Sequence, residues 1–503
     1  MHLVRLALAW LALGFSNTAI AAAPVYDGQG NSYRISIDAN ARRAQVRADL
    51  WLAGDMLSMF NVMTVPGLAD GQADLVEGLQ VRDAAGTVLA PRKLGGGDYE
   101  LAGGRRILVQ YSVRLDHDKY AWPAGAEEIG YWTDEGLMIT GASLLFADGG
   151  DAGITGPITV EFELPRGWRA NTPWQRAPGA EKSATERFSV PSRRELLSNA
   201  LFLGTADSET FDVGGVQMTL VLGNRYVPSK DLFLDLLRRQ LESYKDLFGG
   251  KPLSSRYLVI INEDKSGDGG AFASSFSQYI AGDADERNRV IWGYVMAHEL
   301  LHFWNGLSIT PVDYHEEWFK EGATDYLTIA TLARNGFIDE NLLFKRLENV
   351  PRRYLIARMA QGLGMSVRDS GKDKQPNRQL VYGGGSLAAM ALDVEMRVRS
   401  RDRVGLPDLM KALYAQYPMP GKRYSLDDIA RIAGELTQSD FRPFLANAVE
   451  STGYFDIRPT YEALGLRMDS FVEEMFIGRE PGATAQQKAR FDAIFGAVSA
   501  RSQ

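Results

Sequence analysis

From about residue 24 to 222, apolar and polar residues alternate in short runs. "SYRISID" (32–38), "RILVQYSVRL" (106–115), "ITVEFELP" (158–165) and "MTLVLG" (218–223) show the pattern. A period of two sends successive side chains to opposite faces, as in half-buried strands. Glycine-rich breaks such as "LGGGDYELAGG" and "ADGGDAGITG" punctuate the runs as turns. Residues 22–222 are therefore expected to form an all-β domain, a sandwich. Near residue 225 the period lengthens. Ser229 is placed as an N-cap for "KDLFLDLLRRQLESYKDLF", where Leu and Phe recur at helical spacing until Gly249 and Gly250. A short strand, "RYLVIIN" (256–262), follows, and most segments to about 450 read as helices, among them "LPDLMKALYAQY" and "SLDDIARIAGEL". The expected fold class is multi-domain α+β: the β domain, a mainly helical domain over 223–465, and a short helical tail over 466–503.

Composition narrows the function. A chain of 503 residues exceeds one ordinary core. Its 63 acidic against 55 basic side chains leave a net charge of −8, which argues against a nucleic-acid binder. At the N-terminus, "MHLVRLALAWLALGFSNTAIAAAPVYDG" carries one arginine, an apolar run from Leu6 to Phe15 and small residues at Ala19, Ala21, Ala22 and Ala23. This is the layout of a secretory signal peptide, over residues 1–21, with cleavage after Ala21 or Ala22. The run is well short of the roughly 20 residues that span a bilayer, and no later segment is long and apolar enough. The expectation is an exported protein, periplasmic or secreted, with no transmembrane segment. Cysteine is absent, so disulfides and thiolate ligands are excluded, and any metal must be held by His, Asp or Glu.

Two of only five histidines, His298 and His302, sit four apart in "VMAHELLHFWNG". On a helix they lie one turn apart on one face, so both imidazoles can reach a single ion. Glu299 beside the first histidine then points toward the attacking water, where a carboxylate can take a proton. HExxH alone is a weak signal. The next helix strengthens it: in "EEWFKEGATDYLTIATLA", Glu321 follows His302 after eighteen intervening residues, and Asp325 lies one turn further along the same face. Catalytic zinc sites use three protein ligands and keep a fourth position open. His298, His302 and Glu321 supply such a set for one Zn2+ per chain. Asp325 is placed to accept a ring N–H from a ligand histidine, His298 in particular.

HELLH, the eighteen-residue gap and "WFKEGATDY" resemble a gluzincin metallopeptidase, and "HFWN" with "EGATDY" resembles the glycyl aminopeptidase family. The resemblance covers roughly 25–465, including the turn "LPRGW", and implies a thermolysin-like catalytic domain acting on peptides or proteins. "VYGGGSLAAMALDVEMR" (381–397) is similar to the family's tyrosine-bearing segment, which implies that Tyr382 hydrogen-bonds the oxyanion. Three departures stand out. The tail after 468 is too short for the PDZ domain many members carry, and the loop between the histidines and the glutamate is shorter than in many relatives. Most important, the family has two glycines followed by Leu-Glu-His on the strand lining the cleft, whereas this chain has "DGGAFASSF". Gly269, Gly270, Ala271 and Phe272 thus match the substrate strand, with Phe272 in the acidic position that binds a free amino terminus.

That swap leaves the substrate preference open between a peptidase not strictly dependent on a free amino terminus and an aminopeptidase with a substitute acid. Glu263, Asp268, Glu316 and Glu317 are the candidates for that acid. The edge backbone can pair with an extended peptide in either case. A non-catalytic peptide-binding protein on the same scaffold is the rival from another class; intact ligands, base and tyrosine weigh against it. "DKSGDGG" (264–270) imitates the start of a calcium loop, but its twelfth position is Ser275 in place of Glu, and it is rejected. His315, in "DYHEEW", reads as a loop residue rather than a catalytic acid.

Overall fold

The computed structural model describes residues 28–60, 66–117, 129–149, 157–177, 185–265, 269–361, 364–471 and 474–499. The segment read as an export signal lies outside them, as does Asp268. In the first half, an eight-stranded sheet has the alternation read from the sequence. Asn31–Asp38 buries every second residue, Tyr33, Ile35 and Ile37 among them. The strand pairs antiparallel with Arg43–Leu52 and parallel with Ile158–Glu163. Its apolar face closes on two four-stranded sheets, which contribute Leu57, Met59, Leu137, Ile139, Leu201 and Leu203 to one core.

The other face of Gly136–Thr140 and Ala200–Gly204 is also covered. Met138, Ala200 and Phe202 meet Val221, Leu258, Ile260 and Tyr279 of a five-stranded sheet in a separate apolar seam. That sheet runs in the order Asp207–Val213, Val216–Leu222, Arg256–Glu263, Ser275–Ile280, Gly269–Ala271. The strand read as the end of the β domain, Val216–Leu222, therefore pairs in parallel with Arg256–Glu263 and belongs to the second half. Its alternation reports two unlike neighbours: the seam on one side and helices on the other. Gly269–Ala271 is an antiparallel edge strand.

The helix Lys230–Phe248 ends as expected on left-handed Gly249. Ser229 gives it no side-chain cap; its hydroxyl donates instead to the carbonyl of Ala284. The tail departs from the helical expectation: Leu466–Phe471 and Glu474–Arg479 form a hairpin before the helix Ala485–Phe495. Phe491 and Phe495 dock it on Phe344 and Tyr326. Among the described residues, no helix is long and apolar enough to cross a membrane.

Candidate metal centre

Two helices build the site. The histidine helix, Arg289–Leu301, carries His298 and Glu299 and has His302 as its C-cap; the glutamate helix, Glu317–Arg334, carries Glu321 and Asp325. His298, His302, Glu321 and Asp325 are all buried. The two Nε2 atoms lie 3.0 Å apart, and Glu321 Oε2 lies 3.1 Å from His302 Nε2 and 3.4 Å from His298 Nε2. Nitrogen and oxygen ligands at about 2.0–2.1 Å from a tetrahedral zinc are about 3.3 Å from one another. The triangle fits such an ion with one position left open, and among the described residues these three side chains form the one cluster able to hold a metal.

The neighbours fix which atoms face the centre. His298 Nδ1 is 2.9 Å from Asp325 Oδ1, and His302 Nδ1 is 2.9 Å from the carbonyl oxygen of Asn305. The contact of His302 Nδ1 with a carbonyl leaves its Nε2 lone pair for a metal, and Asp325 stands at ion-pair distance from His298 Nδ1 with that ring's Nε2 turned to the centre. Asp325 also accepts from the Tyr294 hydroxyl at 2.6 Å and from Arg353 at 3.2 Å. Glu321 turns its other oxygen, Oε1, to Lys374 at 2.6 Å. Tyr294, Arg353 and Lys374 were not found from the sequence, because nothing in a local pattern announces a partner on another element.

Charge balance follows burial. Desolvation pushes the Glu321 carboxyl up, but the charges of His302 and Lys374 hold it well below its ordinary value. Burial likewise opposes ionisation of Asp325, and its hydrogen bond with His298, the Arg353 charge and Tyr294 more than offset that, lowering it. His298 is pulled down by burial yet raised to about 10 by its bonds to Asp325 and Glu321. The pocket is built for positive charge.

Glu299 is half-buried, and among the described residues its carboxylate makes no hydrogen bond or ion pair. Tyr382 lies in a π-helical turn, Gln379–Gly384, and its ring centroid is 6.1 Å from that of His298. Such turns recur at functional sites. Burial first, then the charges of Glu321, Glu299 and Asp325, raise the phenol well above its ordinary value, so it remains a donor. Lys374, Arg353 and Arg378 stand 5.3, 5.5 and 5.9 Å from its ring. The other nearby phenols are engaged elsewhere: Tyr326 donates to Asp393 at 2.6 Å, and Tyr314 is exposed against His315.

The cleft residues divide. A side chain at Gly269 would lie 3.2 Å from Val295 Cγ1, so the glycine lets the edge strand lie close against the histidine helix. Phe272 is half-buried and packs on the seam between the two halves, not among the ligands. The substitute acids that are described have partners. Glu316 is fully buried and accepts from Arg368 at 2.8 Å and from the backbone N–H of Leu426 at 3.0 Å. Glu317 pairs with Lys320 and Lys374, and Glu263 pairs with Arg225. His315 pairs with Asp313 at 2.9 Å on a short turn.

A two-part architecture of sheets followed by helices, with a buried two-histidine, one-glutamate cluster on consecutive helices, defines an aminopeptidase-like class. Residues 293–380 match the family model described as M61 glycyl aminopeptidase, a span that holds the ligands, Glu299, Asp325 and Lys374 and stops two residues before Tyr382. The match over this span supports a peptidase of a glycyl-aminopeptidase-like family. Among solved structures, an aminopeptidase N family protein from Idiomarina loihiensis is similar, with a TM-score of 0.73, 19% identity, and coverage of 87% of this chain and 79% of that one. At this identity the likeness is one of fold. Comparison with curated proteins found no match.

Proposed function

We propose that the protein is an exported zinc metallopeptidase that hydrolyses peptide bonds without strict dependence on a free amino terminus. The observation that carries the reading is the convergence of His298 Nε2, His302 Nε2 and Glu321 Oε2 beside the unpartnered carboxylate of Glu299. Zinc, when bound there, supplies Lewis acidity that favours ionisation of water and polarises a carbonyl. Glu299 takes the proton of the attacking water and returns it to the leaving amine. The protonated phenol of Tyr382, fenced by Lys374, Arg353 and Arg378, donates to the oxyanion that develops on the scissile carbonyl. The edge strand Gly269–Ala271 offers backbone groups to an extended substrate. Export rests on the N-terminal sequence pattern alone.

The free-amine question turns on carboxylates. Glu316 and Glu263 are tied to arginines and Glu317 to lysines, which supports the broader specificity. The likeness to glycyl aminopeptidases favours the aminopeptidase alternative. Metal analysis with turnover of matched N-acetylated and free peptides tests both. About one zinc per chain, activity lost to a chelator and restored by zinc, and comparable cutting of the two peptide sets are expected. Rejection of every blocked peptide would establish the aminopeptidase reading. Zinc binding with no turnover of any peptide would leave a binding protein.

A further inference from the structure

The histidine helix carries a second feature on the same face as Glu299. Val295 and Ile291 precede Glu299 by four and eight residues, so the three side chains form one stripe along the helix. Ile291 is 62% exposed although large and apolar. A lone exposed isoleucine needs no explanation. This one lines a cavity of about 360 Å³, together with Trp292 and Val295 of the helix and residues 278–281 of the neighbouring strand. The cavity adjoins the edge strand: Gly269 pairs opposite Gln278, one of the lining residues, and lies over Val295, another. Groove and base therefore share one helix face.

The spacing suits one kind of occupant. One turn of helix advances about 6 Å over four residues. An extended chain advances about 6.6 Å over two residues, the interval between side chains on one of its faces. A peptide lying along the helix from Glu299 can set alternate side chains on Val295 and on Ile291.

Resting on the peptidase reading, we propose that Ile291, Trp292 and Val295, with the strand end at 278–281, form a subsite for bulky apolar side chains two and four residues from the scissile bond. The enzyme would then select extended apolar peptides of about five residues or more on the scale of that repeat.

Binding to the zinc-loaded Glu299→Gln variant tests this apart from turnover. The probes are N-acetylated, C-amidated alanine nonapeptides carrying two Leu, or two Asp, spaced two apart, with the pair scanned along the chain. At one register, the Leu pair should bind at least about tenfold more tightly than the Asp pair, the scale on which apolar pockets discriminate. Adding Ile291→Asp should abolish that preference; the position is exposed, and an unchanged melting temperature checks that the fold is kept. Equal binding of Leu and Asp probes at every register, or a preference that survives Ile291→Asp, would overturn the subsite. Failure of the peptidase reading would show differently, as a parent enzyme that binds the Leu probes with the same Ile291 dependence yet cuts no peptide.

Discussion

Glu321 divides its oxygens between two tasks: Oε2 faces the histidines and Oε1 is held by Lys374. The lysine holds one carboxylate oxygen, leaving the other to face the histidines, and places a cation 5.3 Å from the Tyr382 ring. Losing such a supporting contact usually weakens metal binding about 10- to 100-fold. Lys374→Met is expected to do so in chelator-competition titration, with Lys374→Arg keeping most of the affinity; an unchanged Kd would remove the lysine from this role. Glu299→Gln is expected to keep one zinc per chain while losing about 10²–10⁴ in rate, since an amide cannot accept the proton. Retained turnover would remove Glu299 from the chemistry. At this scale the sequence announced what is local. His298, His302, Glu321 and Asp325 follow from one-turn spacing on two consecutive helices. Lys374, Arg353 and Tyr294 reach their carboxylates across 53, 28 and 31 residues of chain, and no spacing rule ties such partners together.

Between elements, close approach decides where Tyr382 stands. A Cβ at Gly322 of the glutamate helix would lie 2.1 Å from the backbone of Gly385, and one at Gly385 would lie 2.4 Å from the carbonyl oxygen of Trp318. The glutamate helix and the helix Gly385–Ser400 touch backbone to backbone, and the tyrosine turn, Gln379–Gly384, runs directly into the second. Gly322→Val must push them apart. Overpacking of this kind costs about 1–3 kcal/mol, so urea melts should shift to lower midpoints. Turnover per bound zinc should fall with them, because Tyr382 moves with the helix. Undiminished turnover in that variant would show that Tyr382 needs no such placement. Elements were legible where one face meets water, as in Asn31–Asp38. Ser275–Ile280 escaped because all six residues are buried and no alternation survives. The tail hairpin escaped because Leu466–Phe471 buries only Leu466 fully and leaves its last three residues exposed, so little alternation marks it.

Over the whole molecule, three sheet layers and a helical body lock together through the seam, and Phe272 belongs to that seam. Phe272→Glu would set a carboxylate against apolar packing, a change in stability before any change in specificity. The candidate metal centre is the other global coupling, since two helices of the larger core meet there. Without a metal, bonds to Asp325 and Glu321 outweigh burial and raise His298 from an ordinary 6.5 to about 10. Folding thus takes up a proton between those values. The stability it lends is complete below about 6.5 and is lost as pH climbs through about 10. Zinc competes for the same nitrogen, so binding between pH 7 and 9 should release that proton. Apparent zinc affinity should then rise about tenfold per pH unit from this group. Calorimetry in two buffers of different ionisation heat counts the proton directly. Zinc-loaded protein has no such proton to lose, so the gap between its melting temperature and that of chelated protein should widen from pH 7 to 9. At the acid end, Asp325 and Glu321 act with the opposite sign: both are held below their ordinary values, so their contribution is present above the usual carboxylate range and fails below it. Zinc affinity that stays flat across pH 7–9 would show that His298 carries no proton for zinc to displace, and that the histidine–aspartate pair is neutral on the imidazole before the metal arrives.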